Sequence, residues 1–292
     1  MGDIGNRRVQ LRGWRVLVLV VATAGLAAVF ASSASAYYKF PAKPTWYWQL
    51  GGTSVNNTRT AEIYDIDGFE NEASEVKKLH EKGKHVVCYI DVGGAEPYRP
   101  DYKKFKESEE KNHVKLLYHE IEHWGEYYID INELTYVEPI MKARFEMCAE
   151  KGFDAVEPDE TETWLNNKES EIKPEVTKAQ QLTYDKWIAE TVHGLGMAVL
   201  QKNTGQLTTE QDETFDGALV EQCNDPAASD PCSNFKPYVE KSKPVLNAEY
   251  KKDKSGEKPT YKEKFCKADE ELGIMGARYN EELNGKVYEP CW

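Results

Sequence analysis

The sequence has no Cys-x-x-Cys pair, which argues against a zinc knuckle or a thioredoxin-like redox centre. It has no Gly-x-Ser-x-Gly elbow and no Walker loop, so serine-hydrolase and nucleotide chemistry find no support. The Gly-x-Gly-x-x-Gly turn that often opens a doubly wound sheet is missing, and no repeat of roughly 20–50 residues is evident. Basic charge is short as well: 37 Lys and Arg stand against 50 Asp and Glu, a formal net charge of −13. Such a chain repels nucleic acid. Acids gathered in a cleft would instead raise the on-rate of a cationic partner, although the plainer effect of the charge is solubility.

Four of the arginines, Arg7, Arg8, Arg12 and Arg15, precede an uncharged apolar run from Val16 to Ala31, and Ala34-Ser35-Ala36 then offers a small-x-small cleavage site. The pattern predicts a secretory signal over residues 1–36, with the mature chain starting near Tyr37 outside the cell or in a periplasm. An uncleaved anchor is the alternative, because the run approaches the roughly 17 apolar residues that span a bilayer. Against these arginines stands a single acid, Asp3, so the mature chain is more acidic than the whole. Export agrees with six cysteines, an even number suited to an oxidising compartment. Sequence allows fifteen pairings. The favoured ones are the local pairs Cys223 with Cys232 and Cys266 with Cys291, leaving Cys88 with Cys148.

After a connector over residues 37–43, eight apolar runs read as strands. They are Thr45–Leu50, Ala61–Asp67, His85–Asp91, Phe153–Asp159, Met197–Asn203, Phe215–Gln222, Lys243–Tyr250 and Gly273–Tyr279. Helical patterns separate most of them. One is capped by Ser74 and stops at Gly83, one starts near Glu138 because Pro139 belongs in a first turn, and one begins at Thr177. Residues Glu96 to Tyr128 are charged and weakly periodic, so they read as a long loop after the third strand with one short helix at most, followed by a small strand from Tyr127 to Ile131. Eight strands alternating with helices over about 250 residues predict a single-domain (β/α)8 TIM-type barrel over residues 44–292.

Barrel enzymes gather reactive groups at the C-terminal ends of their strands, and Asp67, Asp91, Asp159, Asn203, Glu221 and Glu249 fall there. In Gly152-Phe153-Asp154-Ala155-Val156-Glu157-Pro158-Asp159-Glu160, strand alternation puts Glu157 and Asp159 on one face, and Pro158, which has no N–H for a sheet ladder, marks the strand's end. Opposed carboxylates are what glycosidic cleavage needs, one ionised and one protonated. Asp159 and Glu221 are placed for those roles, with Glu157 and Glu249 as substitutes or as holders of substrate hydroxyls and amines. Trp46, Trp48, Tyr89, Tyr98, Trp124 and Trp164 lie on strands or just after them, where rings can stack on sugars and an amino sugar adds a cation–π attraction; each ring taken singly reads more readily as core.

His119-Glu120-Ile121-Glu122-His123 matches the His-Glu-x-x-His pattern, in which two histidines on one helical face bind zinc and the glutamate activates water. It falls in the segment read as a loop, and Glu138 and Glu146 are the nearest third ligands. A zinc peptidase is therefore the weakest of three functional readings, behind a glycosidase and a non-catalytic carbohydrate-binding barrel.

Trp46-Tyr47-Trp48-Gln49-Leu50, Tyr64-Asp65-Ile66-Asp67-Gly68-Phe69, Val87-Cys88-Tyr89-Ile90-Asp91, Gly152 to Asp159, Glu221-Gln222-Cys223 and Asn247-Ala248-Glu249-Tyr250 resemble, in order, the motifs of glycoside hydrolase family 114, the endo-α-1,4-polygalactosaminidases. The resemblance runs from about Trp46 to Cys291 and lies in the order and spacing of motifs that are each weak alone. It implies a barrel that cuts inside a partly deacetylated, cationic galactosamine polymer with no metal or other cofactor. It also implies catalysis by Asp159 and Glu221, with Asp159 as nucleophile and Glu221 as acid/base by analogy with retaining barrels. Trp48, Asp67, Tyr89, Asp91, Trp124, Glu157, Asn203, Glu249 and Tyr250 are then the expected substrate contacts. The stretch His119 to His123 departs from the family pattern.

Overall fold

The structure, a computed structural model, describes residues 1–2, 37–121, 124–165, 175–228, 230–250 and 262–292. It divides into a unit over residues 1–34 and a unit over residues 35–292, and the second is described below. The expected signal segment lies outside the described residues.

Each apolar run becomes a strand. In chain order the strands are β1 (Trp46–Gln49), β2 (Ile63–Asp67), β3 (His85–Asp91), β4 (Gly94–Ala95), β5 (Leu117–Ile121), β6 (Glu126–Ile129), β7 (Ala155–Asp159), β8 (Ala198–Lys202), β9 (Gly217–Glu221), β10 (Val245–Tyr250), β11 (Met275–Tyr279) and β12 (Tyr288–Pro290). The helices are α1 (Ala73–Glu81), α2 (Tyr102–Asn112), α3 (Leu134–Lys151), α4 (Lys178–Gly194), α5 (Thr208–Gln211), α6 (Lys236–Glu240) and α7 (Lys262–Leu272). The large sheet runs β1-β2-β3-β7-β8-β9-β10-β11-β12 and is parallel up to β11. β12 is antiparallel to β11. The sheet curls into a near-closed barrel whose seam between β11 and β1 is bridged by side chains: the Tyr288 hydroxyl donates to the Trp46 carbonyl (2.9 Å), and the Trp46 indole N–H donates to the Met275 carbonyl (2.8 Å). Inside the barrel the Trp46, Trp48 and Tyr279 rings pack on one another.

Two helix starts differ from the sequence expectation. Ser74 lies inside α1, whose N-cap is Glu72, while Gly83 beyond its end adopts a positive φ of 68°. α3 starts at Leu134, so Pro139 lies inside it and removes one backbone hydrogen bond; the buried Val137, Ile140, Met141, Arg144, Phe145 and Cys148 outweigh that loss. Thr177 caps α4 as expected, in a reciprocal capping box with Gln180.

The segment after β3 is not a loop. It folds as a three-stranded antiparallel sheet, β4-β6-β5, with the eleven-residue α2 beside it. Its pattern is weak because α2 buries only Phe105 and β5 is largely exposed, so neither period is written strongly in apolar residues. Buried ions fasten it to the barrel instead. The Arg144 guanidinium donates to both Asp101 oxygens (2.8 and 3.1 Å) and to the Asp91 carbonyl (2.7 Å). Arg99 joins Asp67 (2.5 and 3.0 Å) to Glu96 (2.8 Å).

All three disulfides form in the favoured pairing. Cys88–Cys148 ties β3 to α3 across 60 residues and so brackets the whole inserted sheet. Closing a loop of that length restricts the unfolded chain by roughly 4 kcal/mol. The double variant Cys88→Ala/Cys148→Ala is expected to lose about that much stability in denaturant titration; a loss under about 1 kcal/mol would show that the inserted sheet is held without the bridge.

Candidate active site

The alternation of β7 sends Glu157 and Asp159 into the barrel, where both meet one cation, Lys202 at the end of β8. Lys202 is 1% exposed, and its Nζ lies 2.6 Å from Asp159 Oδ1, 3.2 Å from Glu157 Oε1 and 3.2 Å from Glu221 Oε2. It also sits over the Trp48 ring, 5.2 Å from its centroid, while the Trp48 indole donates to Glu157 Oε2 (3.0 Å). Asp159 Oδ2 accepts from the Tyr89 hydroxyl (2.8 Å). Glu221 Oε1 accepts from the Tyr250 hydroxyl, and its Oε2 accepts from Asn203 Nδ2 (3.2 Å). Asn203 Oδ1 in turn takes the Glu221 amide (3.0 Å), so one asparagine fixes both ends of that residue. Because both carboxylates touch Nζ, the nearest oxygens of Asp159 and Glu221 lie at most about 6 Å apart.

The charges sort themselves. Burial pushes Asp159 up, but the charge and hydrogen bond of Lys202, with the Tyr89 hydroxyl, outweigh it and hold Asp159 below the ordinary carboxylate range. Burial would strip Lys202 of its proton, yet Asp159, Glu221 and Glu157 raise it well above its usual value. Behind them, burial pushes Glu157 up to about 7 and Asp65 well above the carboxylate range, while Lys202 and a hydrogen bond with Asp65 pull Glu157 part of the way back. Burial and the Asp159 charge push Glu162, which shares the Asn203 amide with Glu221, up to about 8.

Of the expected substrate contacts, Tyr89, Asn203 and Tyr250 hold the two carboxylates directly. Trp48 and Glu157 are buried beneath them, supporting Lys202 rather than facing a ligand. Asp67 is turned to structure: it binds Arg99 and accepts the Phe69 and Glu70 amides (both 2.8 Å). Glu249 points out of the barrel, where it accepts the Asn224 amide (3.0 Å) and Asn247 Nδ2 (3.2 Å) beside Asp269 of α7. Asp91 Oδ1 takes the Gly93 and Gly94 amides (3.1 and 2.6 Å); a Cβ at Gly94 would fall 2.2 Å from Asp91 Oδ2, so a larger residue there would push that carboxylate out of this turn. Trp124 is 58% exposed and belongs to the inserted sheet, not to the strands that carry Asp159 and Glu221. Sequence reasoning passed over Lys202 and Glu162. The lysine's signal was present, since a cation closing the apolar run Ala198-Val199-Leu200 needs buried acids to meet it.

The zinc pattern does not survive. His119 and Glu120 lie exposed on strand β5, not on a helix, and Glu122 and His123 lie outside the described residues. Among the described residues the one group of three metal-binding side chains close enough to share an ion is Cys223, Cys232 and Asp269, and those cysteines are bonded to each other.

No curated protein matches the chain by sequence. Among solved structures it is similar to Aspergillus fumigatus Ega3 in complex with galactosamine, at 27% identity and a TM-score of 0.75, covering 88% of this chain and 98% of that one. It shares its fold with the glycoside hydrolase domain of PelA from Pseudomonas aeruginosa, at 9% identity and a TM-score of 0.58, covering 83% and 97%. The model of glycoside-hydrolase family GH114 matches residues 27–291, nearly the whole chain, and the protein belongs to that family.

Proposed function

We propose that this glycoside hydrolase cuts within α-1,4-linked, galactosamine-containing polysaccharide, using Asp159 and Glu221 in a two-step retaining mechanism. The observation that carries the reading is the pair of carboxylates held about Lys202 at the C-terminal ends of β7 and β9. Both carboxylates touch one ammonium, so their nearest oxygens lie at most about 6 Å apart, which sets the two groups together at one reacting bond. Asp159, held ionised by Lys202 and Tyr89, attacks the anomeric carbon while Glu221 delivers its proton to the leaving oxygen. The glycosyl ester on Asp159 is then opened by water, whose proton returns to Glu221.

The galactosamine bound to the related Ega3 supports an amino sugar as substrate, and a net charge of −13 favours the approach of a cationic polymer. Three disulfides and the leader pattern support export, with the mature chain starting near Tyr37. Among the described residues no helix is long and apolar enough to cross a membrane.

Reducing-end release from partly deacetylated α-1,4-galactosamine polymer, run in chelator, tests the reading. The wild type should release oligosaccharides whose new ends first appear as the α anomer. Asp159→Asn and Glu221→Gln should each lose on the order of a thousandfold or more while melting at the wild-type temperature. Full activity in either variant would overturn the site. Lys202→Met tests the role of the cation. Without it, burial is opposed only by hydrogen bonds from Tyr89 and the Glu160 backbone, so Asp159 rises and the acid limb of the kcat/KM profile moves to higher pH; an unmoved limb would show that Asp159 is not the group held ionised.

A further inference from the structure

Glu221 ends β9, and the turn that follows it is held from outside the barrel. Gln222 adopts a positive φ of 54°, a backbone state that costs a residue with a side chain about 1–3 kcal/mol and persists where the surroundings over-determine it. The surroundings here do so. The Gln222 amide donates to the carbonyl of Ala248, the register partner of Glu221 on β10 (2.8 Å), and Cys223 is bonded to Cys232. The Asn224 amide donates to Glu249 Oε1 (3.0 Å), and Asn224 Nδ2 donates to Asp269 Oδ1 on α7 (2.7 Å). Asn247 Nδ2 reaches Glu249 Oε1 (3.2 Å) and both Asp269 oxygens (3.2 and 3.0 Å), which joins the two carboxylates to each other. Asp269 and Asn247 are fully buried, and a Cβ at Gly276 would fall 1.9 Å from Asp269 Oδ2, so that carboxylate is packed against β11 with little room to move. It lies beside Cys223 and Cys232, but those sulfurs are bonded to each other and leave no ligand set for a metal. The alternation of β10 thus serves one residue from both faces: Tyr250 holds the Glu221 carboxylate inside the barrel, while Asn247 and Glu249 hold the turn behind it.

We propose that Asn224 and Asp269 are positioning residues for Glu221: α7 grips the Asn224 side chain, and with it the turn that sets where the Glu221 carboxylate meets the leaving oxygen. The inference rests on the reading of Glu221 as the acid/base group and deepens it. A general acid acts within hydrogen-bond reach of the oxygen it protonates, and a displacement of about 1 Å can cost on the order of a hundredfold. Lys202, Tyr250 and Asn203 act on Glu221 itself, so the direction in which the chain leaves β9 is left to the Ala248 carbonyl, the disulfide and the Asn224 clamp. Of these, the clamp is the contact that a side-chain change removes without breaking a covalent bond or the sheet.

The test compares Asn224→Ala with the wild type on α-1,4-galactosamine polymer and on a nitrophenyl α-glycoside of a galactosamine oligomer. The first chemical step, which kcat/KM reports, needs the proton of Glu221 when a sugar leaves, whereas nitrophenolate departs with little help. The expected result is a fall of about tenfold or more in the ratio of kcat/KM values, polymer over nitrophenyl glycoside. General damage to the fold would lower both values together, so an unchanged ratio overturns the proposal. Glu221→Gln, run beside it, is the reference. If that variant leaves the ratio unchanged, or the wild type cleaves neither substrate, the reading of Glu221 as acid/base fails. The crystal structure of Asn224→Ala then decides the clamp, as it does if the variant melts early. Glu221 shifted away from Tyr250 and Lys202 supports it, and Glu221 in place overturns it.

Discussion

A lysine ammonium taken out of water costs several kcal/mol, and only close, well-oriented carboxylates offset that. Lys202 meets this condition with Asp159 and Glu157 from β7 and Glu221 from β9, and with the Trp48 ring from β1 beneath. The reactive geometry is therefore not added to a finished barrel. The strands must close in register for the cation to find its partners, and once they do, the separation of the two carboxylates is set by the size of one ammonium. Burial pushes Asp65 and Glu157 up, which weakens the inner acids' hold on that charge relative to Asp159 at the rim, which is held low.

The inserted sheet depends on a second set of buried ions. Arg99 and Arg144 lock Asp67, Glu96, Asp101 and the end of β3 into one network. Such pairs are poor sources of net stability but are demanding about position, since removing one partner strands a charge in the interior. Stability in this region comes instead from the apolar face of α3 and the bridge to Cys88. One set of interactions says how firmly the insert is held, and the other says where.

Much of this was legible in the sequence, and the limits have physical causes. Apolar runs ending in acids gave eight parallel strands because buried strands carry a continuous signal, and alternation placed Glu157 and Asp159 together because proline marked the strand's end. Glu249 was misplaced because β10 is buried on both faces. In Val245-Leu246-Asn247-Ala248-Glu249-Tyr250 nothing local says which parity faces inward, and the answer lies in Asp269 on a helix twenty residues away. Asp67 drew notice as a rim acid, but its partner Arg99 lies 32 residues on, in a segment with no readable period. The insert itself was hidden because its elements are held by ions and a disulfide more than by an apolar stripe.

An acidic cleft creates a conflict for its own chemistry. Carboxylates that draw in a cation also repel one another's charge, so each acid near Asp159 works against the ionised form that a nucleophile requires. Glu126, Glu160 and Glu162 show the effect, all held above the ordinary range by burial and by neighbouring acids. Asp159 alone among them is held below it, and the difference is contact with Lys202 and Tyr89. On the proposed mechanism, the lysine lets the cleft stay acidic while Asp159 beside it keeps the ionised form that attack on the sugar requires. A neutral residue at position 202 would leave the cleft's acids without their cation and set their charge against the proposed reaction.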